Sequence, residues 1–72
     1  NDHLAFSWFL RAAEQGDAPA QYNLGRMYLL GKGDDKNIIE GRFWIKQALE
    51  NNDEYIGILA QQVWDDFKLG SY

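Results

Sequence analysis

Asp17-Ala-Pro-Ala-Gln-Tyr-Asn-Leu-Gly-Arg-Met-Tyr-Leu-Leu-Gly-Lys-Gly33 is the stretch on which the fold turns. Asp17 stands at an N-cap position and Pro19 falls in the first turn of the helix that follows, where its missing N–H breaks no hydrogen bond. Gly31 and Gly33 then close the helix in a turn. At about 100° per residue, Ala20, Leu24, Met27 and Tyr28 fall on one side, while Tyr22, Arg26 and Leu29 fall on the other, flanked by Asn23 and Leu30. Gly25 lies at the edge of the apolar side, where the lack of a Cβ lets a neighbouring helix approach closely.

Upstream, residues 1–15 carry Leu4, Ala5, Trp8, Phe9, Ala12 and Ala13 at the spacing of one helix face. Asn1 is placed to cap that helix and Gly16 to end it in a left-handed turn. Downstream, Asn37 and Glu40 have capping-box spacing, opening a third helix whose buried stripe is Ile38, Gly41, Ile45, Ala48 and Leu49, with Trp44 at its margin. Asn51-Asn52 reads as a left-handed stop. Asp53 opens a fourth helix with Ile56, Leu59, Ala60, Val63, Trp64 and Phe67 as its apolar face. Gly57 inside it costs roughly 1 kcal/mol relative to Ala. Gly70 ends the regular part, and Ser71-Tyr72 reads as a frayed tail.

The halves repeat. Trp8 and Trp44 are 44 − 8 = 36 positions apart, and the same offset pairs Ala12 with Ala48, Asp17 with Asp53, Phe9 with Ile45, Met27 with Val63 and Tyr28 with Trp64. Two antiparallel helices recurring near this length are the sign of an α-solenoid, in which each hairpin buries its stripe against the next. The fold class expected is therefore all-α, with about four helices forming antiparallel hairpins stacked as an α-α superhelix. Residues 1–16 supply the second helix of a partial repeat, 17–52 one complete repeat, and 53–70 a C-terminal capping helix.

Ala20-Gln-Tyr-Asn-Leu-Gly-Arg-Met-Tyr28, then Gly31-Lys-Gly33, Trp44 and Ala48, closely resembles the Sel1-like repeat, a relative of the tetratricopeptide repeat. The resemblance covers residues 5–48 and fades beyond Asp53. It makes Trp8, Ala12, Ala20, Leu24, Gly25, Met27, Tyr28, Gly31, Gly33, Trp44 and Ala48 the structural positions of the repeat. It implies a right-handed superhelix serving as an adaptor that brings proteins together. The chain departs from the pattern at Asp34 (usually Val), Asn37 (usually Asp), Gly41 (usually Ala) and Leu49 (usually Ala). In the fourth helix, Gln61 stands where the repeat has its close-packing Gly, which is why that helix reads as a cap and the chain as the C-terminal end of a longer array.

Composition and motif spacing argue against other classes. The 72 residues hold no cysteine and one histidine, so neither a disulfide nor a Cys/His zinc site is expected. Seven Lys and Arg against 11 Asp and Glu give a formal charge of −4, which a phosphate backbone repels. No apolar run approaches the ~18 residues of a membrane span. A phosphate loop at Gly31-Lys32 fails: Gly25 leaves five intervening residues instead of four, and no Ser or Thr follows Lys32. A calcium loop counted from Asp35 fails because its sixth and twelfth places hold Glu40 and Lys46. Asp65 and Asp66 diverge on a helix, and His3 has only Ser7 as a neighbour at helical spacing.

No catalytic residue, cofactor or metal is expected. The function expected is a non-enzymatic module binding a partner protein or peptide on its concave face through Tyr22, Asn23, Arg26 and Leu29. A solvated face with ordinary exposed apolar residues is the competing account of those positions. The alternative role is self-assembly through the bare Trp8/Phe9 face of the first helix. The composition suits a reducing cytosol and equally a periplasm, and leaves the compartment open.

Overall fold

The computed structural model describes residues 2–31 and 37–71. Its elements are α1 (Asp2–Glu14), α2 (Ala18–Leu30), α3 (Ile38–Glu50), α4 (Glu54–Asp66) and a 3-10 turn, Leu69–Ser71. Each helix packs on the next in chain order, and α2 also touches α4. Among the described residues there is no strand, and the architecture is the stack of helical hairpins that the repeat requires.

The joints follow from local chemistry. After α1, Gly16 takes φ +92, its N–H donates to the Ala13 carbonyl at 3.0 Å, and Asp17 N–H donates to the Ala12 carbonyl at 3.2 Å. This is the paired bonding of a Schellman stop, open to glycine because it has no Cβ to clash. Gly31 ends α2 at φ +75, its N–H bonded to the Met27 carbonyl. Gly33 lies outside the described residues, as do Asp34 and the Asn1 cap.

The Asn37 side chain accepts from Glu40 N–H at 3.0 Å, whereas Asn37 N–H donates to the Tyr28 carbonyl at 2.9 Å. Half of the expected box is therefore present, and the other half is replaced by a tie to the end of α2. Asp53 caps α4 by accepting from Ile56 N–H at 3.0 Å, while Asp17 makes no side-chain cap bond to α2. Asn51 is extended (φ −70, ψ 155), not left-handed as expected. Its Nδ2 donates to the Gly16 carbonyl at 3.0 Å and to Gln21 Oε1 at 3.2 Å. Gln21 Nε2 in turn donates to the Ala13 carbonyl at 3.2 Å. Gln21 is the buried polar side chain of the core, and this network satisfies it while tying α1, α2 and the α3–α4 turn together.

Two apolar clusters lie on either side of α2. One joins Phe6, Ala13, Ala20, Leu24 and Trp44, with Phe9, Leu10, Met27 and Tyr28 packed around it. The other joins Ala18, Leu29, Ile45, Ala48, Ile56, Ala60, Val63 and Leu69, with Tyr22 and Leu49 packed against it. A helix between two neighbours is apolar on both flanks, so α2 has no single buried stripe.

Glycine sets the α2–α3 approach. A Cβ on Gly25 would lie 2.7 Å from the Ile45 side chain and 3.0 Å from its backbone nitrogen. One on Gly41 would lie 2.6 Å from Leu29 and 3.1 Å from the Gly25 carbonyl oxygen. Gly41, a departure from the repeat pattern, is what admits Leu29 between the helices. Gly57 has open space around it and no such role.

The chain past α4 is not frayed at Ser71. Lys68 adopts φ +52, reversing the chain so that Leu69 enters the core fully buried. Arg42 Nε donates to the Leu69 carbonyl at 2.9 Å, and its guanidinium lies 5.0 Å from the Trp64 ring centroid. A left-handed residue costs roughly 1–2 kcal/mol, which the burial of a leucine, about 1.5–3 kcal/mol, largely offsets, and the Arg42 contacts add to the hook. The same pair of positions one unit earlier, 42 − 36 = 6 and 64 − 36 = 28, holds Phe6 edge-on to Tyr28 at 5.1 Å. An aromatic edge contact in one unit is a cation–π contact in the next.

Candidate interaction surfaces

The residues expected to bind a partner do not all share a surface. Leu29 is 1% exposed and packs in the main core, so its expected outward position is wrong. Gly41 opens the slot it fills, and on the far flank of α2 a leucine faces α3 instead of solvent. Tyr22 is half-buried, its ring packed against the same core. Arg26 is exposed and sits 5.5 Å from the Tyr22 ring centroid. Asn23 and Arg26 line a shallow depression of about 190 Å³ with Phe9, Met27 and Leu30, at the junction of α1 and α2. Arg26 thus links a supported aromatic ring to an apolar hollow, and no carboxylate partners it among the described residues.

Two further surfaces are open. On α1, Trp8 is 69% exposed and borders a depression of about 320 Å³ with Arg11, Ala12 and Gln15. The buried side of α1 is centred on Phe6 and Ala13; the stripe through Leu4 and Trp8 faces solvent, contrary to the single apolar face expected. On α3, an open depression of about 710 Å³ is lined by Ile38, Ile39, Arg42, Phe43, Lys46, Gln47 and Glu50. Ile39 is 80% exposed and Phe43 48%. Neither stood out in the sequence, although their i, i+4 spacing beside the buried stripe is a signal that would have found them.

Trp44, expected at the margin of its stripe, is 9% exposed, and its indole N–H is buried without a partner among the described residues. Phe43 meets it edge-on at 5.0 Å. Among the described residues, no group of three or more His, Cys, Asp or Glu is placed to hold a metal ion, and no helix is long and apolar enough to cross a membrane.

Stacked hairpins bonded through paired glycines and a buried amide define an α-α repeat protein related to the tetratricopeptide class. The Sel1 repeat model matches residues 1–17 and 18–53, and the chain belongs to the Sel1 repeat family. It is 41% identical over 54 residues to the chitin synthase regulator SKT5 of Saccharomyces cerevisiae, covering 75% of this chain and 8% of that protein. It is 46% identical over 44 residues to a putative sel1-like repeat-containing protein, L18, of Acanthamoeba polyphaga mimivirus, covering 61% of this chain and 8% of that one. The chitin synthase regulator SKT5 of Malassezia restricta matches at 38% over 53 residues, 74% of this chain and 4% of that protein. The chain therefore spans less than a tenth of the length of these relatives. No solved structure matches it significantly. Sel1 repeats are generally protein-interaction modules and generally non-enzymatic.

Proposed function

We propose that the chain holds a partner protein or peptide on the exposed side of α2, with Arg26 as the polar anchor and the hollow beside Leu30 as the apolar one. The observation that carries this is the Arg26 guanidinium over Tyr22 beside Phe9, Met27 and Leu30. Arg and Tyr dominate interface energetics, and a guanidinium already stacked loses less freedom on binding. Asn23 adds a hydrogen-bonding amide at the same place. Leu29 has no part in it. The relatives named as regulators of an enzyme, chitin synthase, fit a module whose work is done on another protein.

The test is selection of binding peptides from a displayed library on the intact 72-residue chain. Arg26→Ala with Leu30→Ser should weaken the selected peptides by about tenfold or more while circular dichroism is unchanged. Unaltered affinity moves the site elsewhere.

A second reading is favoured by the 69% exposure of Trp8: the open face of α1 seats a helix of another unit, either from a longer array or from a second copy. Light scattering over a concentration series separates self-association, which Trp8→Ser should abolish, from a strictly monomeric chain.

A further inference from the structure

No described helix covers Ile39 and Phe43 on α3. One unit earlier, 39 − 36 = 3 and 43 − 36 = 7, the same positions hold His3 and Ser7, both exposed. Stacking therefore does not require large apolar groups there. Among the described helices, α3 packs on α2 and α4 and leaves this face open. Ile39 and Phe43 are thus two exposed anchors without a structural reason, one of them supported edge-on by Trp44.

Charge says what covers them. In a chain of net charge −4, this depression has two cations, Arg42 and Lys46, and one acid, Glu50 at its far end. Neither cation has a carboxylate partner among the described residues. Arg42 is fixed by its Nε bond to Leu69 and its seat over Trp64, leaving its terminal nitrogens as a preformed fork for a carboxylate. An anionic membrane would meet the remaining acids of the chain as well as these two cations. A second copy docked about a two-fold axis would bring the two cations against each other.

We propose that the outward face of α3 is a second docking site, whose occupant is an acidic segment of a partner protein. That segment places two large apolar side chains over Ile39 and Phe43 and carboxylates against Arg42 and Lys46.

The experiment uses the intact chain and a displayed library of random linear peptides, with recovered sequences mapped by amide chemical-shift changes. Peptides that perturb Ile39, Phe43 and Lys46 should pair large apolar residues with Asp or Glu. Ile39→Ser with Phe43→Ser should weaken them at least about tenfold, and Lys46→Glu severalfold, while Arg26→Ala leaves them unchanged. Lys46→Glu alters only an exposed charge, so its result stands even if the double variant loses helicity. The proposal is overturned if no peptide maps to this face, if those that do are basic or uncharged, or if Lys46→Glu has no effect. It is overturned equally if binding to phosphatidylserine vesicles, or dimerisation by light scattering, is the sole property that Ile39→Ser with Phe43→Ser removes.

Discussion

Helices α1 and α3 hold the same place in successive units, yet Trp8 at one is 69% exposed and Trp44 at the other 9%. Ala12 and Ala48 differ in the same sense, half-buried against fully buried. The residues are alike; the neighbours are not. Helix α2 lies against Trp44, Ile45 and Ala48, whereas Trp8 faces solvent and Ala12 is only partly covered. A repeat position thus encodes an interface, and its energy is realised only when the adjoining helix is present.

The largest expected effect tests that difference directly. Trp44→Ala should cost about 3–5 kcal/mol, a large part of the ~4–11 kcal/mol expected for a domain of this size. Trp8→Ala should stay within about 0.5 kcal/mol. Urea midpoints of the two variants check it, and equal losses would mean that the α1 face is covered in solution.

A smaller effect compares Gly41 with its counterpart one unit earlier, Ala5. Gly41→Ala drives a Cβ toward Leu29 and the Gly25 carbonyl oxygen and should destabilise by about 1–3 kcal/mol. Adding Leu29→Ala should recover part of that loss in a double-mutant cycle; simple additivity would show that the two side chains do not share the slot. Smallest is Gly57→Ala, where the Cβ meets open space: a gain of about 0.5–1 kcal/mol from helix propensity, read as a raised melting temperature.

Much of this was legible in the chain because its signals are local. Gly16, Gly31, Asn37 and Asp53 mark helix ends through bonds made within a few residues, Pro19 marks one by having no N–H to bond, and each lies at or beside a boundary in the structure. Gly25, at the edge of the apolar side of its helix, reads as a close-packing site, and a Cβ there would meet Ile45. Local rules went astray where a side chain had more than one possible partner. Asn51 was read as a left-handed stop and instead bonds Gly16 and Gln21, 35 and 30 residues away. Of the candidate site, Arg26 is exposed with Asn23 half-buried beside it, whereas Tyr22 packs on the core and Leu29 is buried within it.

The helices, most of their boundaries, the repeat and the family are written in the sequence, since helical period, capping chemistry and glycine spacing act over a turn or two. Tertiary structure alone decided which of two apolar flanks each helix buries. A single helix with two stripes cannot say which neighbour will cover which, so the burial of Leu29, the hook of Leu69 and the exposure of Ile39 and Phe43 emerge only when all four helices are in place.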